Sequence, residues 1–299
     1  GWRAFALTAG FIFLLMLPVV LRLDMESAEF GSEDPLAAEA ALAEAASLSG
    51  YAITDSPMIA FRAGLSVPPN LCDPGAKRFE SGDLTLADVA NEALDHFPAP
   101  VLAWNGRFVR PGNRTFALWL AAMGYQASHV FDAGRDRVLY APPAALPTDP
   151  PASAAPLGAT FAGGGVALVA LEAPARHAVG ATMPVTLYWR ADGPVARPLS
   201  VSLRLVTPSG ALAAQSDGPP SRGIRPMTAW RPGELVIDAY ELAVGAEVPP
   251  GEGDLVVRLY APNDGSVAPV LDVGRGRAVD GGDAVAIGAV ALRPVAPAP

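Results

Sequence analysis

Lysine is almost missing from this sequence. Lys77 stands alone among 21 basic residues, and the rest are arginines. Cysteine is equally scarce: with Cys72 as the single one, no disulfide can close within the chain and a cysteine-ligated zinc site lacks its donors. The three histidines, His96, His129 and His177, are far apart in sequence, with no carboxylate at ligand spacing. A net charge of -9 without clustered Lys and Arg excludes nucleic acid as a partner, because its phosphates demand such clusters. No G-x-S-x-G, H-E-x-x-H or P-loop is present, and the "GGGVAL" at 163–168 does not open a helix after a strand. These absences argue against a self-sufficient hydrolase, nucleotide-binding enzyme or metalloenzyme. An initiating Met is missing too, so the sequence reads as a processed chain or as part of a longer one.

What is present begins with an uncharged run, "AFALTAGFIFLLMLPVVL" at 4–21, bracketed by Arg3 and Arg22. Eighteen helical residues rise roughly 27 Å, close to the hydrocarbon thickness of a bilayer. A retained transmembrane helix is expected here. A signal peptide is the rival reading, but only one arginine precedes the run and no small-residue cleavage site follows promptly. The acidic remainder, residues 24–299, is expected outside the cytoplasm.

Residues 24–141 read as a small α/β domain. "DPLAAEAALAEAASLSG" at 34–50 has Asp34 and Pro35 as a helix start and Gly50 as its stop. Thr85 and Asp88 sit at capping-box spacing ahead of the helical "LADVANEALD". Strand-like "YAIT", "PVLAW", "SHVFD" and "RVLYAP" alternate with helical stretches, which predicts a largely parallel sheet. Residues 142–157 are rich in proline and read as a semi-rigid linker. From 158 to 295 seven strand-like runs, among them "MPVTLYWRA", "LSVSLRLVT" and "ELVIDAYELAV", are separated by turn signals such as "TPSG" and "APNDG". That pattern predicts an antiparallel β-sandwich, immunoglobulin-like or jelly-roll. The fold class is therefore α+β and multidomain.

Few residues invite a functional role. Asp55 directly follows a strand, where α/β folds place ligand-facing groups; alternatively Asp55 or Ser56 caps the helix that begins at Pro57. Arg62, Asp73, Lys77 and Arg78 flank the "VPP" bend, where they either meet an anionic donor or the membrane surface, or form surface ion pairs. Trp189 and Trp230 are candidates for stacking on a glycan, or else core residues; adjacent Tyr188 and Trp189 must point to opposite faces of their strand.

The stretch "TDSPMIAFRAGLSVPPNLCDPGAKRFESGDLT", followed by "PVLAWNGRFV" and "FALWLAAMGY", resembles the extracytoplasmic C-terminal part of bacterial multi-spanning glycosyltransferases. These are similar to the dolichyl-phosphate-mannose protein mannosyltransferase and aminoarabinose transferase superfamily. The resemblance covers residues 34–141, with Ser56 where the pattern has Asp and Gly75 where it has Ser. "VTLYWRA", "AQSDGPP" and "AWRPGELVIDAYEL" resemble a module that trails such enzymes. The resemblance implies sugar transfer from a polyprenyl-phosphate donor, with the catalytic Asp and the donor-holding helices upstream. It also implies that residues 4–21 are a last span in the cytoplasmic membrane. No cofactor is expected in this part; a divalent metal would belong to the parent enzyme. The alternative is a single-span cell-envelope protein whose two domains bind glycan or protein.

Overall fold

The computed structural model describes residues 33–46, 48–109, 114–132, 136–163 and 165–294. The span expected over 4–21 lies outside them. Among the described residues no helix is long and apolar enough to cross a membrane.

The first domain begins with helix α1 (Glu33–Ala45), strand β1 (Ile53–Thr54) and helix α2 (Pro57–Arg62). Helix α1 starts at Glu33, so Asp34 lies within its first turn instead of capping it. A short helix α3 (Ala76–Ser81) ends at Gly82, whose φ of 80° is open to glycine at little cost. Helix α4 (Leu86–Asp95) has the capping box that the spacing predicts. Asp88 N donates to Thr85 Oγ1 at 3.2 Å and Thr85 N donates to Asp88 Oδ2 at 2.8 Å. Strand β2 (Val101–Ala103), helix α5 (Thr115–Ala122), strand β3 (Gln126–Asp132) and strand β4 (Arg137–Ala141) complete the domain.

These strands form one sheet in the order β1-β2-β4-β3. Only β1 and β2 run parallel; β2–β4 and β4–β3 are antiparallel, so the sheet is mixed where a largely parallel one was expected. The physical reason is connection length. Four residues separate Asp132 from Arg137, too few for the crossover that parallel neighbours need.

Side-chain alternation then divides the strands between two covers. Leu102 and Leu139 face α1 and α2, where Ala38, Leu42, Ile59 and Trp104 pack. Val101, Ala103, Val138 and Tyr140 face α4 and α5, against Val89, Ala90, Phe116 and Leu120. Because both faces are covered, β2 and the body of β4 are buried throughout, which is why they read as unbroken apolar runs.

The second domain is β-rich. It contains β5 (Ala155–Phe161), β6 (Val166–Glu172), β7 (Arg176–Ala178), β8 (Thr182–Ala191), β9 (Ser200–Val206) and β10 (Leu212–Gly218). Then follow β11 (Val236–Ala243), β12 (Gly251–Tyr260), β13 (Val267–Ala268), β14 (Val270–Asp272), β15 (Arg277–Val279) and β16 (Ala284–Arg293). One sheet has the order β11-β8-β6-β5-β14. The other has the order β10-β9-β12-β16-β15, with β13 on β12 and β7 on β16. Inward residues of both sheets, including Val185, Leu187 and Trp189 from one and Leu203, Leu205 and Val257 from the other, share one core. All strand pairs of the sandwich are antiparallel except β7 with β16. Strand β5 begins at Ala155, inside the stretch read as linker, and the shorter pieces β7 and β13 to β15 lie outside the predicted runs.

The two domains are fastened together. The segment between β10 and β11 crosses to the first domain and buries Ile224 in the core beneath α4 and α5. Arg225, 1% exposed, makes a two-pronged pair with Glu234 (3.0 and 2.6 Å) and donates to Asn91 Oδ1 of α4 at 2.5 Å. Arg231 pairs with Asp95 of the same helix at 2.7 Å. The Pro-rich connection is held as well. Leu146 packs on the first core, while Arg190 binds the Thr148 carbonyl and pairs with Asp149.

Candidate functional site

Asp55 sits at the carboxyl end of β1, where the sequence places it, yet it faces no solvent: 1% of it is exposed. Its carboxylate accepts the backbone N–H groups of Trp104 (2.7 Å), Asn105 (3.0 and 3.1 Å) and Arg107 (2.9 Å). Its carbonyl accepts from Asn105 Nδ2 at 2.9 Å and Arg107 Nη1 at 3.1 Å. Burial pushes the carboxyl above its ordinary pKa, opposed by those N–H donors and by the Arg107 charge. Both readings of Asp55 therefore need correction. Its carboxylate is buried and already taken up by backbone N–H groups, and the helix at Pro57 begins at Ser56 without a side-chain cap bond. Asp55 instead clamps the loop that leaves β2.

That loop forms one wall of an open cleft between the domains, with a volume of about 630 Å³. Asn105, Gly106 and Arg107 come from the clamped loop, and Phe79, Glu80 and Thr85 from α3 and the start of α4. Arg222, Gly223 and Ile224 close it from the sandwich side. Arg222 follows Ser221, and both hold left-handed backbone conformations (φ 53° and 51°) that non-glycine residues rarely adopt. The sandwich core enforces this turn. Asp238 on β11, 1% exposed, accepts Ser221 N–H at 2.7 Å and the Tyr240 hydroxyl at 2.6 Å; Ser221 Oγ donates to the Ile237 carbonyl at 2.8 Å. Burial drives the Asp238 carboxyl up to about 6, and the same burial, then Asp238 itself, raises Tyr240. Nothing in the sequence reading singled out Arg107, Arg222 or Asp238. The signals at hand were the resembling stretch "AWNGRFV", which contains Arg107, and an acidic residue inside the alternating "VIDAYEL".

No protein-family model matches the chain. No curated protein matches it either. Among solved structures, it is similar over 41% of its length to the CARDB domain of the PF1109 protein from Pyrococcus furiosus, solved in complex with di-metal ions. The match spans 87% of that chain at 10% identity, with a TM-score of 0.24. A likeness at that level leaves function to be read from this chain's own geometry.

The residues singled out in the sequence do not converge. Arg62 pairs with Glu39 of α1 at 3.0 Å, on a helix that also exposes Met58 and Phe61. Arg78 is spent on its own bend, donating to the carbonyls of Asn70 (2.8 Å) and Asp73 (2.9 Å) and to Asn70 Oδ1 (2.9 Å). Asp73 and Lys77 are exposed beside it. Of the suggested surface cluster only the bend group Asp73, Lys77 and Arg78 belongs together.

Trp189 (0% exposed) and Trp230 (4%) lie in the sandwich core with ring centroids 6.3 Å apart, and Trp230 Nε1 donates to the Arg225 carbonyl at 2.9 Å. A glycan cannot stack on rings that already face protein on all sides; these tryptophans pack the core. Among the described residues no group of three or more His, Cys, Asp or Glu side chains gathers as a metal site. The residues lining the cleft bring two arginines, a glutamate, an asparagine and one partly exposed aromatic ring.

Proposed function

We propose that this chain is the extracytoplasmic, non-catalytic part of a membrane glycosyltransferase that uses a polyprenyl-phosphate-linked sugar. In this reading it serves as a docking module, with residues 24–299 outside the cytoplasmic membrane. The observation that carries the reading is where the resembling residues lie. "TDSP" supplies the Asp55 clamp, "AKRFESGDLT" supplies Phe79, Glu80 and Thr85, and "AWNGRFV" supplies Asn105 and Arg107. The stretches behind the resemblance thus build one wall of one cleft, whereas core residues alone would be scattered. For the sandwich the immunoglobulin-like alternative is favoured over the jelly-roll. The order β10-β9-β12-β16 faces β6-β8-β11, with β7 running parallel along β16, a connection order of that class.

A second reading, a single-span envelope protein that binds glycan or protein, is favoured by the cleft's being lined by residues from both of this chain's own domains. The experiment that separates them measures sugar transfer in membranes by the parent enzyme with and without residues 33–294, alongside the purified chain alone. Loss of transfer on deletion, with no turnover by the chain alone, is the expected result. Unchanged transfer would favour the envelope binder, and turnover by the isolated chain would overturn the non-catalytic assignment.

A further inference from the structure

We infer that the interdomain cleft binds a sugar bearing one anionic group, a phosphate or a carboxylate, with Arg107 and Arg222 holding the charge. This inference deepens the docking-module reading and rests on it for its setting.

Three independent observations converge on the cleft. The first is composition. Among the described residues lining it, Arg107 and Arg222 are cationic and Glu80 alone is acidic. A guanidinium presents its N–H donors as a planar fork that matches carboxylate and phosphate oxygens. Arg107 is positioned in advance, since its backbone N–H and its Nη1 both bind Asp55. Arg222 is held only loosely by Glu241, at 3.5 Å with the two side chains 50% and 68% exposed, a pair that a ligand can displace at small cost.

The second observation is strain. Two consecutive non-glycine residues, Ser221 and Arg222, are held left-handed at the cleft's edge. Such conformations persist only where the surroundings over-determine them, and they cluster at ligand clamps. Here the buried pair Asp238 and Tyr240 does the over-determining, and the consequence is that Arg222 stands on the cleft wall.

The third is size and surface. About 630 Å³ falls within the range of small-molecule sites. Phe79 offers apolar surface, with the buried Phe108 edge-on behind it at 6.3 Å. Glu80 and Asn105, both exposed, carry oxygens that can accept from hydroxyl groups. A bare polyanion is opposed by Glu80; a hydroxylated ring with one charge uses every kind of group present.

The test is a calorimetric titration of the full chain with a hexose 1-phosphate, glucuronate, inorganic phosphate, glucose and a short oligonucleotide. The expected result is binding of the hexose 1-phosphate or glucuronate, with glucose at least about tenfold weaker, as the loss of a charge-assisted contact implies. Binding of the first alone identifies the charge as phosphate, and of the second alone as carboxylate. Arg222→Gln is expected to weaken binding about tenfold or more with an unchanged melting temperature, and Arg277→Gln, on the far sandwich strand β15, to leave it unchanged. Arg107→Gln should also weaken it, but its tie to Asp55 makes Arg222→Gln the deciding variant. The inference is overturned if neither sugar anion binds, if glucose or the oligonucleotide binds as well, or if Arg222→Gln binds like the parent. Absence of binding with transfer still dependent on residues 33–294 would sink the ligand and spare the module. Binding with transfer indifferent to the chain would do the reverse.

Discussion

Asp55 illustrates how the same residue reads differently in one dimension and in three. Its place after a strand was legible, and so was the choice between ligand and cap. What decided its role lies about fifty residues away, where the backbone of Trp104, Asn105 and Arg107 turns three N–H groups inward. Buried donors of that kind must find acceptors, and a carboxylate supplies several. Replacing it with Ala strands all three. Asp55→Ala is expected to cost about 3 kcal/mol or more, read as a lower urea midpoint at unchanged slope. Trp189 and Trp230 teach the same lesson. Aromatic residues in strands are equally suited to core and to stacking surface, and only burial separates the two.

At the scale of elements, local signals served well. The Thr85–Asp88 spacing specifies a capping box by itself, since both partners lie within one turn. Strand β11 shows where local signals stop. "VIDAYEL" alternates, but two registers compete: Val, Asp, Tyr and Leu inward, or Ile, Ala and Glu inward. The structure buries the first set, aspartate included, because Ser221 and Tyr240 satisfy the carboxylate and three larger apolar side chains come with it.

That choice leaves a pH signature. The Asp238 carboxyl stands at about 6, raised by burial from 3.8. A raised carboxylate stabilises the fold fully below its unfolded value, and the contribution is lost as pH rises through the folded one. From pH 4 to above 6 the loss amounts to about 3 kcal/mol. Asp238→Asn removes the titration and retains an oxygen acceptor. The stability of the Asn variant relative to the parent is therefore expected to rise across this window. Parallel pH profiles from chemical denaturation check it, and profiles of equal slope would reject it.

At the scale of the whole molecule, the domains are joined less by their linker than by Arg225. A buried guanidinium that pairs with Glu234 and reaches Asn91 across the interface is costly to break, because its partners lose their donors while still covered. Arg225→Ala is expected to cost about 3–5 kcal/mol and to uncouple the domains. Calorimetry should show one transition for the parent and two for the variant, with protease cleaving the 142–154 connection readily only in the variant. Two transitions in the parent would show that the staple does not couple the domains.

By itself the sequence determined what depends on neighbours along the chain: the helix starts, most long strands, the proline-rich connection, an acidic charge unsuited to nucleic acid, and an apolar run of membrane length. Tertiary structure decided what depends on distant partners. It set the antiparallel pairing of β4, the burial of Asp55, Trp189 and Trp230, and the placing of Arg107 and Arg222 on one cleft to which two domains contribute. The physical reason is that burial and hydrogen-bond satisfaction are settled between segments far apart along the chain, and no spacing within either segment encodes the other's position.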